Sequence, residues 1–284
     1  MASHANLEYQ VVEGWGQLPE GWEFTQVAGV AVDSQDRIYV YNRGEHPMII
    51  FDRDGNLLNT WGEGFLKHAH GIFIDSADMI YLVDRWLHAV LKYTPEGDLL
   101  MTIGTLDQPS TNGEPFNEPT DAALSSSGEI YVSDGYGNTR VHKFSADGEH
   151  LLSWGTPGDG PGEFNLPHSV WVDDNDRVYV ADRENHRIQI FDPQGTFIDQ
   201  WTGFRQPTDF FLDPDGRFYV SELQHRVSIL NLDGEVLTRM GGESSHAPGE
   251  FVAPHAVWTD SQDALYVGEV LAGQRIQKFV PRDA

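Results

Sequence analysis

The chain repeats itself almost from end to end, and this self-similarity limits its architecture more than any other property. The clearest copy is LPHSVWVDDNDRVYVADRENHRIQIFDPQGTFIDQWTG, from Leu166 to Gly203. It consists of an apolar alternation ending in Asp, a turn, Tyr-Val-x-Asp, a loop, Arg-Ile-Gln-x-Phe, a Gly turn, and a last run closing near Trp and Gly. Further copies begin at Val27, Ala69, Pro119, Pro207 and Pro254. Their spacing is about 40 to 50 residues, the period of propeller blades. Val170, Val172, Val178 and Val180 alternate with the period of two that strands require. Turns such as DDNDR, DPDGR and DRDG supply the Asn, Asp and Gly of tight hairpins. Leu106–Glu118 and Thr156–Phe164 are Gly/Pro-rich loops between copies. Each copy reads as four short strands, except the sixth, which stops after its third at Phe279-Val280. YQVVEGWG, from Tyr9 to Gly16, ends in the same Trp-Gly as Trp61-Gly62 and Trp154-Gly155. It is the natural donor of the missing strand. The expectation is an all-β chain in which residues 1–284 form a single six-bladed β-propeller. An N-terminal strand completes the last blade, which removes the open sheet edge.

Superposing the copies on the Asp that ends the first strand exposes one column. Five residues before Asp75, Asp173 and Asp260 stand His70, His168 and His255, while the other copies hold Ala28, Thr120 and Thr208. First strands line a propeller's central channel, and alternate blades are related by about 120° around it. Three imidazoles at one height then converge on the axis, the open three-nitrogen arrangement that catalytic zinc uses. Fe(II) or another divalent metal also suits such a donor set. His68 lies two residues before His70, out of register. His46, His88 and His186 share a later repeat position and read as polar loop or inter-blade residues. His4, His142, His150, His225 and His246 read as surface residues.

The loops after each second strand must overhang the same mouth, because the first two strands of a blade are antiparallel. They carry Arg43, Arg85, Arg183 and Tyr136. Guanidinium forks match a small carboxylate-bearing substrate; a salt bridge to a neighbouring-blade acid such as Asp182 or Glu184 is the alternative use of each arginine. Tyr136, between two glycines and over the expected metal, reads either as a base or as a rim aromatic.

Composition narrows the partners. Forty-four acids against eighteen bases give a formal charge of −26, which excludes a nucleic-acid binder and an anionic membrane surface as partners. The chain has no Cys, so disulfides, Cys-zinc sites and thiol nucleophiles are excluded. MASHANLEYQVVEG has no apolar leader core. The expectation is a cytoplasmic protein, and a closed ring needs no partner, which favours a monomer.

Four segments, GVAVDSQDRIYVYNRGEH, PTDAALSSSGEIYVSDGYGNTRVHKFS, PHSVWVDDNDRVYVADRENHRIQIF and PHAVW, carry a wider likeness. The repeat is similar to the NHL repeat, and together these segments resemble the peptidyl-α-hydroxyglycine α-amidating lyase family. The resemblance implies a six-bladed propeller with zinc on His70, His168 and His255, a catalytic Tyr136, and active-site arginines Arg43 and Arg183. It departs from the family at Ala256, where the family has an Asp ligand to a structural calcium. Backbone carbonyls of Val30 and Ile72 alone make a weak calcium site, so Ca2+ is not expected. No copper monooxygenase unit is expected ahead of the repeats.

These readings converge on a zinc-dependent carbon–nitrogen lyase. Its substrate would be an N-acyl α-hydroxyglycine or a similar carbinolamide such as ureidoglycolate, cleaved to an amide and glyoxylate. Arg43 would hold the carboxylate or support Tyr136, with Arg183 assisting and Arg85 binding substrate. The alternatives are a metal-dependent hydrolase or lactonase on the same histidines, and a non-catalytic NHL scaffold that binds a protein.

Overall fold

The computed structural model describes residues 7–110 and 112–282. His4 lies outside them. Among the described residues, six four-stranded antiparallel sheets follow one another around a ring, joined in the channel by contacts between neighbouring first strands. The first strands are Val27–Val32, Ala69–Ile74, Asp121–Leu124, Pro167–Val172, Pro207–Leu212 and Pro254–Thr259. The first three strands of each blade are largely buried, and the fourth faces solvent on most positions, as in Leu99–Gly104 and Phe197–Thr202. That gradient follows from the repeat, because inner strands are covered on both faces by neighbouring blades. The Thr156–Phe164 loop carries a short parallel ladder, Thr156–Pro157 against Glu163–Phe164. The single described helix is the 3-10 turn Arg183–Asn185, and no described helix is long and apolar enough to cross a membrane.

The ring closes as the repeat predicts. Tyr9–Val12 pairs antiparallel with Arg275–Pro281, so the two chain ends share blade six. The closure also reproduces a contact found elsewhere around the ring. Trp61, Trp154 and Trp201, near the ends of fourth strands, pack on Gly97, Gly195 and Gly234 in the next blade's outer hairpin. A Cβ at those glycines would sit 2.5–2.9 Å from the indole, and all three have positive φ. Trp15 makes the same contact with Gly55 of blade one. It also packs edge-on against Tyr266 and donates its indole N–H to the Arg53 carbonyl at 2.8 Å. Trp15 is therefore the sixth blade's copy of the repeat tryptophan.

A column of buried polar residues shapes the mouth. Asn42, Asp84, Asp134, Asp182, Glu222 and Glu269 end the second strands, and each is at most 1% exposed. They accept N–H groups from the loop that enters the first strand of the same blade. Examples are Lys67 and His68 on Asp84, Asn165 on Asp182, and Val252 and Ala253 on Glu269. A buried carboxylate that receives several hydrogen bonds satisfies loop amides that would otherwise be orphaned. This column ties the two overhanging loops of each blade together and holds their side chains over the channel.

His142 is a correction to the surface reading. It is fully buried, with Nε2 3.1 Å from Asp134 Oδ2 and Nδ1 2.7 Å from Ser153 Oγ. His225 is likewise half-buried, and its Nδ1 donates to the Val252 carbonyl. His88 and His186 are inter-blade residues as expected, accepting the N–H of Glu118 and Gln206 at 3.0 and 3.1 Å. His150 and His246 are exposed.

Closing the ring through Trp15 predicts that Trp15→Ala costs about 3–5 kcal/mol, the usual penalty for deleting a buried indole. Denaturant unfolding measures it; a cost below about 1 kcal/mol would place closure elsewhere.

Candidate metal centre

The three channel histidines are 1–4% exposed, and their ring centroids stand 4.7–4.9 Å apart. The ligating nitrogens all lie within 4.8 Å of one another. Each imidazole is fixed by the blade that follows it. His70 Nδ1 donates to the Thr120 carbonyl at 2.6 Å, His168 Nδ1 to Thr208 at 2.6 Å, and His255 Nδ1 to Ala28 at 2.7 Å. The acceptors are the non-histidine residues of the same repeat column. A proton on Nδ1 leaves Nε2 bare and pointed at the axis. Burial first, and the cationic neighbours second, hold all three well below the usual histidine range, so they stay neutral as metal ligands must. The donor set and its hydrogen bonds fit a divalent metal.

The clamp continues around the ring. Thr120 Oγ1 lies 3.0 Å from the Pro167 carbonyl, and Thr208 Oγ1 lies 3.1 Å from the Pro254 carbonyl, just ahead of His168 and His255. Blade one has Ala28 at this slot and no hydroxyl. There Arg43 Nε donates instead to the Ala69 carbonyl, just ahead of His70, at 2.9 Å.

Tyr136 reaches the centre from above. Its hydroxyl is 3.2 Å from Nε2 of both His70 and His168. The flanking glycines make this approach possible. A Cβ on Gly135 would lie 2.0 Å from the Pro167 carbonyl oxygen, and one on Gly137 would lie 2.2 Å from the Asn117 side chain. Arg85 stacks over the Tyr136 ring with its guanidinium carbon 3.9 Å from the centroid. Arg183 Nη1 is 3.4 Å from the Tyr136 hydroxyl. The structure thus brings together all seven residues singled out from the sequence.

Each arginine is also held by a partner that the repeat did not single out. Gln26 Oε1 accepts from Arg43 Nη1 at 2.9 Å, Glu118 accepts from Arg85 Nε at 2.7 Å, and Glu184 accepts from Arg183 Nε at 2.9 Å. The expected alternative use of these arginines, an ion pair with a neighbouring-blade acid, is realised for Arg85, whereas Arg183 pairs with the next residue of its own loop; both still face Tyr136. Burial lowers Arg43 to about 10, which leaves it cationic at neutral pH.

Below the histidines a cavity of about 10 Å³ is lined by Asp121 and Asp209, among others. Ser169 Oγ lies 2.6 Å from Asp121 Oδ2 and 3.1 Å from Asp209 Oδ1. One hydroxyl carries one proton, so both contacts are hydrogen bonds only if one carboxyl is protonated. Burial raises both groups, and their mutual repulsion reinforces the effect at Asp121. Farther down, Phe73, Trp171, Phe211 and Trp258 pack together, with Phe211 and Trp258 4.5 Å apart. This aromatic layer lies across the channel below the site, so the histidines face the mouth that carries the arginines.

The NHL repeat matches residues 116–144 and 164–191. Human NHL repeat-containing protein 3 is 34% identical over 296 residues, covering 96% of this chain and 84% of its own length. The chain belongs to the NHL-repeat family. This NHL-repeat protein is also 34% identical over 199 residues to rat peptidylglycine alpha-amidating monooxygenase, covering 58% of this chain and 20% of that protein. It is 36% identical over 110 residues to peptidyl-alpha-hydroxyglycine alpha-amidating lyase 1 of Drosophila melanogaster, covering 35% of this chain and 20% of that one. Among solved structures, a streptogramin B lyase superposes with a TM-score of 0.65 at 14% identity, covering 97% of this chain and 88% of that one. A gluconolactonase from Xanthomonas campestris superposes at 0.67 and 13%, covering 92% and 87%. At such identities the two structures share the fold alone.

The carboxyl pair predicts a pH signature. The folded chain keeps a proton that the unfolded chain releases near the ordinary aspartate value of about 4. That contribution is fully present at or below this pH and is lost as pH rises through the raised folded value. The midpoint difference between Asp209→Asn and wild type should therefore move in the variant's favour as pH rises from about 4 to about 8. A flat difference in thermal scans would contradict the shared proton.

Proposed function

We propose that this protein is a metal-dependent carbon–nitrogen lyase acting on an α-hydroxyglycine-type carbinolamide that carries a free carboxylate. One arrangement carries the reading: a buried tris-imidazole centre with a tyrosine hydroxyl 3.2 Å from two of its nitrogens, beneath three arginines. The similarity to amidating enzymes, one of them a lyase by name, supports the reaction class.

His70, His168 and His255 would hold the ion. A divalent metal bound there supplies Lewis acidity, which lowers the pKa of a hydroxyl that reaches it. The chain's own residues do the rest. Arg43, with Nη2 buried and unpaired, takes the substrate carboxylate. Tyr136, in its phenolate form, would accept the carbinol hydroxyl proton as that C–O bond becomes a carbonyl. The C–N bond breaks, and the nitrogen leaves with the bonding pair and takes back the proton that Tyr136 accepted, which regenerates the phenolate. The products are an amide and glyoxylate. Arg183, beside the Tyr136 oxygen, and Arg85, over its ring, supply positive charge where negative charge collects. Glu118 and Glu184 keep these two arginines in place.

Zinc is the metal this reading favours, because lyase chemistry of this kind needs no redox change. A scaffold reading offers no role for three neutral imidazoles buried around one point. The test is to incubate the metal-replete protein with α-hydroxyhippurate and with ureidoglycolate and to assay glyoxylate. Release from at least one is expected, and Tyr136→Phe should lower kcat by about 100-fold or more while retaining metal. No glyoxylate from either compound would overturn the substrate class.

A further inference from the structure

The residue two positions before the histidine slot points to one further binding group. Around the ring this position holds Gln26, His68, Glu118, Leu166, Gln206 and Ala253. Three of these hold the machinery of the mouth. Gln26 accepts from Arg43, Glu118 accepts from Arg85, and Gln206 Nε2 donates to Glu184, the partner of Arg183, at 2.8 Å. His68 occupies the same position on blade two, yet its Nδ1 is buried and takes no hydrogen bond from another residue. Arg43 Nη2 is in the same condition. The two groups are neighbours, because Arg43 Nε donates to the carbonyl of Ala69, the residue after His68. His68 is also within electrostatic reach of Arg43, Arg85 and His255.

Buried polar atoms without partners are rare, and two on neighbouring residues at the mouth of a site call for a ligand. His68 is outside the trio whose nitrogens converge on one point, so the ligand is not the metal. Its ring packs against Trp86 at a tilt of 35° with the centroids 4.4 Å apart, and Trp86 is 53% exposed at the rim. Arg85 on one side and Arg43 on the other make the pocket cationic. An anion with two oxygens in one plane would complete both open groups.

We propose that His68 is a substrate-binding residue, whose imidazole N–H and Arg43 Nη2 together take the carboxylate of a 2-hydroxycarboxylate moiety. The inference rests on the lyase reading and deepens it. The hydroxyl of such a moiety points toward the histidine trio when the carboxylate is seated between blades one and two. Trp86 covers the outer face of the seat.

The experiment is calorimetric titration of zinc-loaded protein with glycolate and with glycolamide, which keeps the hydroxyl but lacks the charge. His68→Phe preserves the aromatic contact with Trp86 and removes the donor, whereas His68→Asn restores an N–H near the Nδ1 position. Glycolate affinity should fall about tenfold or more in His68→Phe and recover in part in His68→Asn. Glycolamide affinity and zinc content should not change. Equal glycolate binding by wild type and His68→Phe, equal losses for both ligands, or no glycolate binding by wild type would overturn the proposal. Glyoxylate release is read separately. Absent turnover with His68-dependent glycolate binding removes the lyase reading and keeps the carboxylate seat; turnover unaffected by His68→Phe does the reverse.

Discussion

The hydrogen bond from each channel imidazole to the backbone of the next blade is the constraint on which the centre depends. His70, His168 and His255 each donate Nδ1–H to the residue in their own repeat column one blade on. Three consequences follow. The tautomer is set, so Nε2 faces the axis. The rings are held before any ligand arrives, which cuts the ordering cost of binding. And the column alternates, because the acceptor blade contributes a small residue, Ala or Thr, where a second imidazole would crowd the first. Ring closure is part of the same device, since His255 of blade six is anchored on Ala28 of blade one.

Electrostatics divides the molecule into regions of opposite character. Excess acid dominates the chain, with a formal charge of −26, yet Arg43, Arg85 and Arg183 gather over one mouth. The acidic column that ends the second strands lies just beneath these loops and organises their backbones without cancelling their charge at the axis. Its members are already committed to amides and to their own basic partners, as Asp182 is to Arg187 and Glu222 to Arg226. Arg85 and Arg183 are ion-paired with Glu118 and Glu184, so among the described residues Arg43 carries the unpaired positive charge of this mouth within an otherwise acidic chain.

The histidine trio was legible because a propeller converts sequence period into angle. Three identical residues in alternate copies can only meet at the axis. Tyr136 and the arginines were legible for a related reason, since strand direction places the second-strand loops over the same mouth. Gln26, Glu118 and Gln206 were not singled out, because their column varies in residue type and its common role appears only once the mouth is assembled. His142 gave no signal, being a lone histidine in a third strand; its partner Asp134 belongs to a column whose burial becomes visible in the packed ring. Asp121 and Asp209 directly follow Thr120 and Thr208, so their place in the channel was open to the same superposition. Their meeting at one hydroxyl, that of Ser169, required distances.

Metal content tests the central claim most directly. Wild-type protein exposed to equimolar zinc and then desalted should retain about one ion per chain, bound by three nitrogens at about 2.0–2.1 Å in X-ray absorption spectra. The same treatment of a His168→Gln variant should leave it largely metal-free with its fold intact. Wild-type protein that emerges without metal, or a variant that retains as much as wild type, would contradict the account.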